Sequence, residues 1–196
     1  MKTKLAFFFL IALSSSCSSD YTPKPKGYFH IELPEPVYQD FAGFPDFKFS
    51  VSNQARLEEM KEAPAGMKEK NGTGFNLNYP LFHAQIYCSY FRINKTDFPL
   101  FLEDSRRMAY IQEKKSKGVV EIPYSNPEQK VYGFVYEIQE SAVSPVQFVL
   151  SDSIRSFFRG ALYFDTSSND RDSIAPVLAY INKDIQILME SFQWKQ

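Results

Sequence analysis

KVYGFVYEIQESAVSPVQFVLSDSIRSFFRGALYFDT, residues 130–166, is the stretch that decides the fold. It holds three runs, 130–139, 145–153 and 156–166, dense in aromatic and β-branched residues. Such side chains fit a pleated, half-buried surface. The links between the runs, 140–144 and 154–155, are short. Links this short join antiparallel neighbours, because a parallel pair needs a crossover of about a dozen residues or more. The run 132–138 is apolar on both faces, which points to cover on both sides of the sheet.

Working outward, residues 173–194 read as a terminal helix. Val177, Leu178, Ile181, Ile185, Leu188, Met189 and Phe192 share one face, and Asn182, Lys183, Gln186 and Glu190 the other. Upstream, 94–118 reads as a second helix. Asp97 is placed to cap it, Pro99 falls in its first turn, and Lys114, Lys115 and Lys117 suit its C-terminal dipole. Gly118 is its stop signal. Its apolar stripe is Phe98, Phe101, Leu102, Ser105, Met108 and Ala109. Residues 46–51 and 83–93 read as strands and 75–80 as a strand or extended segment. Asn71 to Gly74 reads as a turn, and 54–66 as a helical turn or a long loop. Strands, helix, strands, helix is the order of an α+β fold, an antiparallel sheet packed with helices. The Ser191–Phe192 step at the end of the last helix resembles the PsbP/Mog1-like fold.

The chain has 196 residues, of which 44% are hydrophobic and 16% aromatic. That supports one sizeable core, and residues 39–196 are assigned to a single domain. A formal net charge of -1 offers no basic field for phosphates, which argues against nucleic acid.

The first 16 residues have the order of a secretory signal: Lys2 and Lys4, the apolar run LAFFFLIAL, then SSS. The run is too short to span a bilayer, which takes about 20 residues. Cys17 follows the small residues directly, as in a bacterial lipobox, although Ser14 stands where leucine is usual and Leu13 lies one position back. Cys17 is therefore assigned as the lipid-bearing first residue of the mature chain, carrying diacylglyceryl and further acyl groups, palmitate among them. Each buried CH₂ of such chains contributes about 0.8 kcal/mol to anchoring. With two lysines and no acid removed, the mature charge falls from -1 to -3. Residues 17–38 then form a lipidated tether and lead-in stiffened by Pro23, Pro25, Pro34 and Pro36. Cys88 has no partner once Cys17 is acylated. Alternation places it with Ala84, Ile86 and Tyr90 on one strand face, as a small buried hydrophobe.

Signals for chemistry are sparse. The two histidines, His30 and His83, lie in no metal-ligand spacing; HExxH, CxxC and GxSxG are absent. No catalytic residue, metal or cofactor is assigned. Ser105 with Arg106 and Arg107 forms one candidate contact site, since an arginine pair holds a carboxylate or phosphate. Pairing with Glu103 or Asp104 on a solvated helix edge is the competing role. Arg159 shares a strand face with Ala161 and Tyr163, and a charge among apolar neighbours needs a partner, from Asp152 or another protein. The tripeptide DSI occurs twice and marks Ser153 and Ser173 as candidates for O-glycosylation; turn and helix-cap chemistry is the competing explanation.

Together, CSSDYTPKPKGYFHIELPE, FLEDSRRMAY, KVYGFVYEI, VQFVLSDS, FFRGALYF and IAPVLAYINKDI with MESFQW resemble the gliding motility lipoprotein GldD family of Bacteroidota. YTPKPKGYF and RGALYF are the most specific blocks, while Lys26 and His30 depart from the family's usual residues. The resemblance implies a lipid-anchored, non-enzymatic component of the gliding and type IX secretion machinery. It also implies envelope proteins and lipoproteins as partners. Ser18, not the aspartate of inner-membrane retention in enterobacteria, follows the cysteine, and the expected location is the periplasmic face of the outer membrane. Two rivals come from other classes. One is a periplasmic ligand-binding lipoprotein with a pocket between sheet and helix near Ser105 and Arg159. The other is a hydrolase using converging carboxylates.

Overall fold

The computed structural model describes residues 32–60, 67, 72–111, 117–141, 143–165 and 171–195, with residues 171–173 described by backbone alone. The fold is α+β and antiparallel throughout, as expected. A seven-stranded sheet runs in the order β3 (Arg56–Glu59), β4 (Gly72–Tyr79), β5 (Ala84–Arg92), β9 (Ser156–Phe164), β8 (Val146–Ser151), β7 (Val131–Ile138) and β6 (Val119–Asn126). It consists of two meanders, β3–β5 and β6–β9, joined where β5 pairs with β9. The three runs that opened the sequence are β7, β8 and β9.

Both faces of the sheet are covered. Cys88, Phe148, Leu150, Phe158 and Leu162 point to one face, where a small sheet and α2 (Arg171–Ser191) meet them. The small sheet has the order β1 (Tyr38–Phe41), β2 (Phe47–Ser52), β10 (Gln193–Trp194). Here Phe47, Phe49, Phe158 and Phe192 are fully buried, with ring centroids 5.1 to 6.2 Å from that of Phe192 for the other three. Such pairs add about 0.5–1.5 kcal/mol each beyond their buried area. The opposite face carries a smaller cluster built from Val149, Phe157 and Tyr136 beneath α1 (Phe98–Ile111). The α2 face expected from spacing is the buried one, and Cys88 is a free, buried thiol.

Several expectations are corrected. Gly72, Thr73 and Gly74 are not a turn but the start of β4, paired with Phe91, Tyr90 and Ser89; Asn71 lies outside the described residues. The two glycines are needed there for close packing rather than for turning. Residues 56–59 form an edge strand rather than a helical turn. The first helix begins at Phe98, and the capping bonds before it come from Asn94, whose Oδ1 accepts from the N–H groups of Thr96 and Asp97 at 2.8 and 3.0 Å. Lys114 and Lys115 lie outside the described residues, and Gly118 instead leads into β6 with a φ of 130° that suits glycine.

The last helix also stops earlier than its apolar period suggests. Ser191 Oγ donates to the Ile187 carbonyl at 2.7 Å and accepts from the Ser50 N–H at 2.8 Å. Phe192 then turns into the core, and Trp194 continues as β10 against Phe47. The Ser191–Phe192 step thus converts helix into strand.

Candidate functional site

The helix α1 lies over β7, β8 and β9. Beside it, the β5–β9 pair at the centre of the sheet lines a cleft. In register there stand Ser89 opposite Arg159 and Tyr87 opposite Ala161. On the far side, Met60 and Met67 lie over β4, and they can do so because Gly72 and Gly74 carry no side chain. A Cβ at Gly74 would sit 2.5 Å from Met60 Sδ, and one at Gly72 2.6 Å from Met67 Cγ. Between α1 and the two methionines runs a cleft of about 650 Å³, within the usual range for small-molecule sites. Phe91, Phe101 and Phe157 line it as a contact group with centroids 5.0 and 5.5 Å apart, and Tyr87 and Tyr163 line it as an edge-to-face pair at 5.3 Å.

Arg159 lines this cleft. Its Nη2 donates to Gln147 Oε1 at 2.8 Å and its Nη1 to the Met108 sulfur. Its Nε is buried with no hydrogen-bond partner. Burial pushes the guanidinium below its ordinary value, opposed by the nearby hydroxyls of Tyr163 and Tyr136. Asp152 is not its counter-ion. Asp152 Oδ1 accepts the N–H groups of Ile154, Arg155 and Ser156 at 2.7 to 2.9 Å and so closes the β8–β9 turn. Ser153 sits in that turn at a φ of 63°, its N–H donating to Ser151 Oγ at 2.8 Å.

Ser105 also reaches the cleft, buried beneath α1, and its Oγ donates to the Phe101 carbonyl at 2.9 Å. The neighbouring arginines do not converge on it. Arg107 pairs with Asp104 at 2.7 Å, one turn back, and Arg106 pairs with Glu121 on β6 at 2.7 Å. Tyr110 Oη donates to the same Glu121 oxygen at 2.8 Å. Burial alone would raise the Glu121 carboxyl; the bonds from Tyr110 and Arg106 outweigh it and hold the group below its ordinary value. Ser105 and Arg159 therefore share one cleft, while Arg106, Arg107 and Asp152 are engaged elsewhere.

His83 takes a left-handed φ of 47° at the end of a 3-10 turn, Pro80–Phe82, a structural role. Among the described residues, no group of three or more His, Cys, Asp or Glu is placed to hold a metal ion. Cys17 and His30 lie outside the described residues, as does the Ser173 side chain.

Two features escaped the sequence. Asp184 is buried in the apolar face of α2. The spacing that picks out Val177, Ile181 and Leu188 also passes through position 184, so that signal was present. Met60 and Met67 gave no periodic signal, because both lie between β3 and β4, outside either strand.

No curated protein matches the chain. A model of the family described as gliding motility lipoprotein GldD matches residues 18–194. With its sheet, both helices and the cleft all inside that match, the chain belongs to the gliding motility lipoprotein GldD family.

Proposed function

We propose that this protein is a lipid-anchored, non-enzymatic component of the gliding apparatus. It is required for motility and for the assembly or stability of the associated type IX secretion machinery. The observation that carries this is the family match over residues 18–194, a family of gliding motility lipoproteins and not a known family of enzymes. The match begins at Ser18, directly after Cys17, which agrees with a signal peptide over 1–16 and acylation of Cys17. Residues 17–38 serve as the tether and 39–196 as the single domain. The anchor holds the domain on the periplasmic face of the outer membrane. No described helix is long and apolar enough to cross a membrane.

Other envelope proteins of the machinery are the partners. The β6 edge supports this. Val120 and Ile122 are 45% and 42% exposed on an edge strand of the large sheet, and an unpaired edge is a template for a partner's strand. Affinity capture from cross-linked cells, with mass spectrometry of the captured proteins, tests the proposal. Other gliding or type IX secretion components should dominate the capture; their absence would contradict it.

A second reading, a periplasmic ligand-binding lipoprotein, is favoured by one observation. The cleft between sheet and helix contains both Ser105 and Arg159.

A further inference from the structure

We propose that the cleft beneath α1 binds a long-chain fatty acid, its carboxylate on Arg159 and its hydrocarbon chain among Met60, Met67 and Met108. This rests on the ligand-binding reading and names the ligand class.

The guanidinium requires an anion. A cation withdrawn from water is costly unless paired, and Arg159 has only a carboxamide and a thioether as hydrogen-bond partners, with its Nε unsatisfied. The Gln147 that holds it is itself 2% exposed, so the guanidinium is fixed from behind by a buried side chain. The nearest acid in the cleft lining, Asp104, is already paired with Arg107 at 2.7 Å. A thioether is a weak acceptor. A carboxylate taking the place of the Met108 sulfur would gain charge-assisted bonds in the fork geometry that arginine offers.

The walls require a flexible apolar chain. Three of the five methionines in the sequence line the cleft. Methionine is unbranched and polarisable, and it conforms to apolar ligands that lack a fixed shape. Gly72 and Gly74 hold two of these methionines flat against β4 and keep the space above Ser89 and Ala161 open. The aromatic lining adds apolar surface without a second cation. An anionic head and a single apolar chain satisfy the whole lining. A sugar or nucleotide would leave the methionines and phenylalanines against polar groups.

The full-length chain in neutral-detergent micelles is mixed with hexadecanoic acid carrying ¹³C at the carboxyl, and the carboxyl resonance is followed against pH. A bound resonance, distinct from the micellar one, is expected, titrating about one unit or more lower because a guanidinium favours the ionised form. Hexadecanol should displace it at least about tenfold less effectively than unlabelled acid. Arg159→Met should abolish the low titration. Met108→Trp, at a half-exposed position, should block the cleft and remove the bound signal without disturbing the core. If hexadecanol competes as well as the acid, Arg159 is not the head-group receptor and the fatty-acid assignment fails, while ligand binding stands. If neither labelled acid nor ¹³C-labelled hexadecanol shows a bound resonance, both fail together. The acid-against-alcohol comparison uses the unaltered protein, so it decides the matter even if a variant does not fold.

Discussion

Tyr38 Oη donates to Asp184 Oδ1 at 2.6 Å, tying the first residue of β1 to the middle of α2 across 146 positions of sequence. The contact fixes the point where the lead-in segment joins the domain. Hydrogen bonds to charged groups contribute about 1.5–3 kcal/mol. Tyr38→Phe should therefore lower the unfolding free energy by about that amount in urea titrations. Asp184→Ala should cost more, since it also strands the Tyr38 hydroxyl. An unchanged midpoint for Tyr38→Phe would remove the contact from the account of stability.

The same carboxyl sets a pH dependence. Burial raises Asp184 above its ordinary value, while the hydroxyls of Tyr38, Ser52 and Tyr79 and the charge of Lys183 pull it back without cancelling the shift. A carboxyl whose folded value lies above its unfolded value holds its proton more tightly when folded. The contribution is fully present below the unfolded value of about 3.9 and is lost as pH rises through the raised folded value. Asp184→Asn, neutral at every pH, should lose this dependence. Its stability relative to the parent should improve as pH rises from about 3.5 to 7. Parallel stability curves would contradict the assignment.

Two glycines on the large sheet should behave differently. A Cβ at Gly133 would lie 1.8 Å from the Val149 carbonyl oxygen, a backbone atom that no rotamer change can move. Gly133→Ala should cost about 3 kcal/mol or more, or prevent folding, because β7 and β8 must separate. At Gly74 the obstacle is the Met60 sulfur, at the far end of a flexible side chain. Gly74→Ala should cost about 1 kcal/mol or less and narrow the cleft. Thermal melts of the two variants check the contrast.

The sequence made the centre of the fold legible and its margins much less so. β7, β8 and β9 were readable because their aromatic and β-branched residues repeat and their links are short. β6 was not, because it is an edge strand broken by Pro123 and mixed with Glu121, Ser125 and Asn126. β10 was hidden by a helical period that runs on through Phe192. At the candidate site, Arg159 stood out as one charge among apolar neighbours. Its partner did not, because the nearby acid Asp152 spends its carboxylate on three backbone N–H groups, and the side chain that meets the guanidinium is the uncharged Gln147 of β8. The cleft itself was anticipated from Ser105 and Arg159, and Met108 from its place in the helix stripe, but Met60 and Met67 stand outside strand and helix, where no periodicity marks them.

The β6 edge offers a test of partner docking. Ile122 is exposed, so Ile122→Lys should change stability by no more than about 0.5 kcal/mol. It should nonetheless deplete gliding and secretion components from the cross-linked capture, since charge on an edge strand opposes pairing. Unchanged capture would move the docking surface away from β6.

The central claim is tested most directly by deleting the chromosomal copy and measuring colony spreading and type IX cargo secretion, with the intact gene returned in trans. Both activities should be lost on deletion and restored by the gene. A deletion strain that spreads and secretes like its parent would contradict the account.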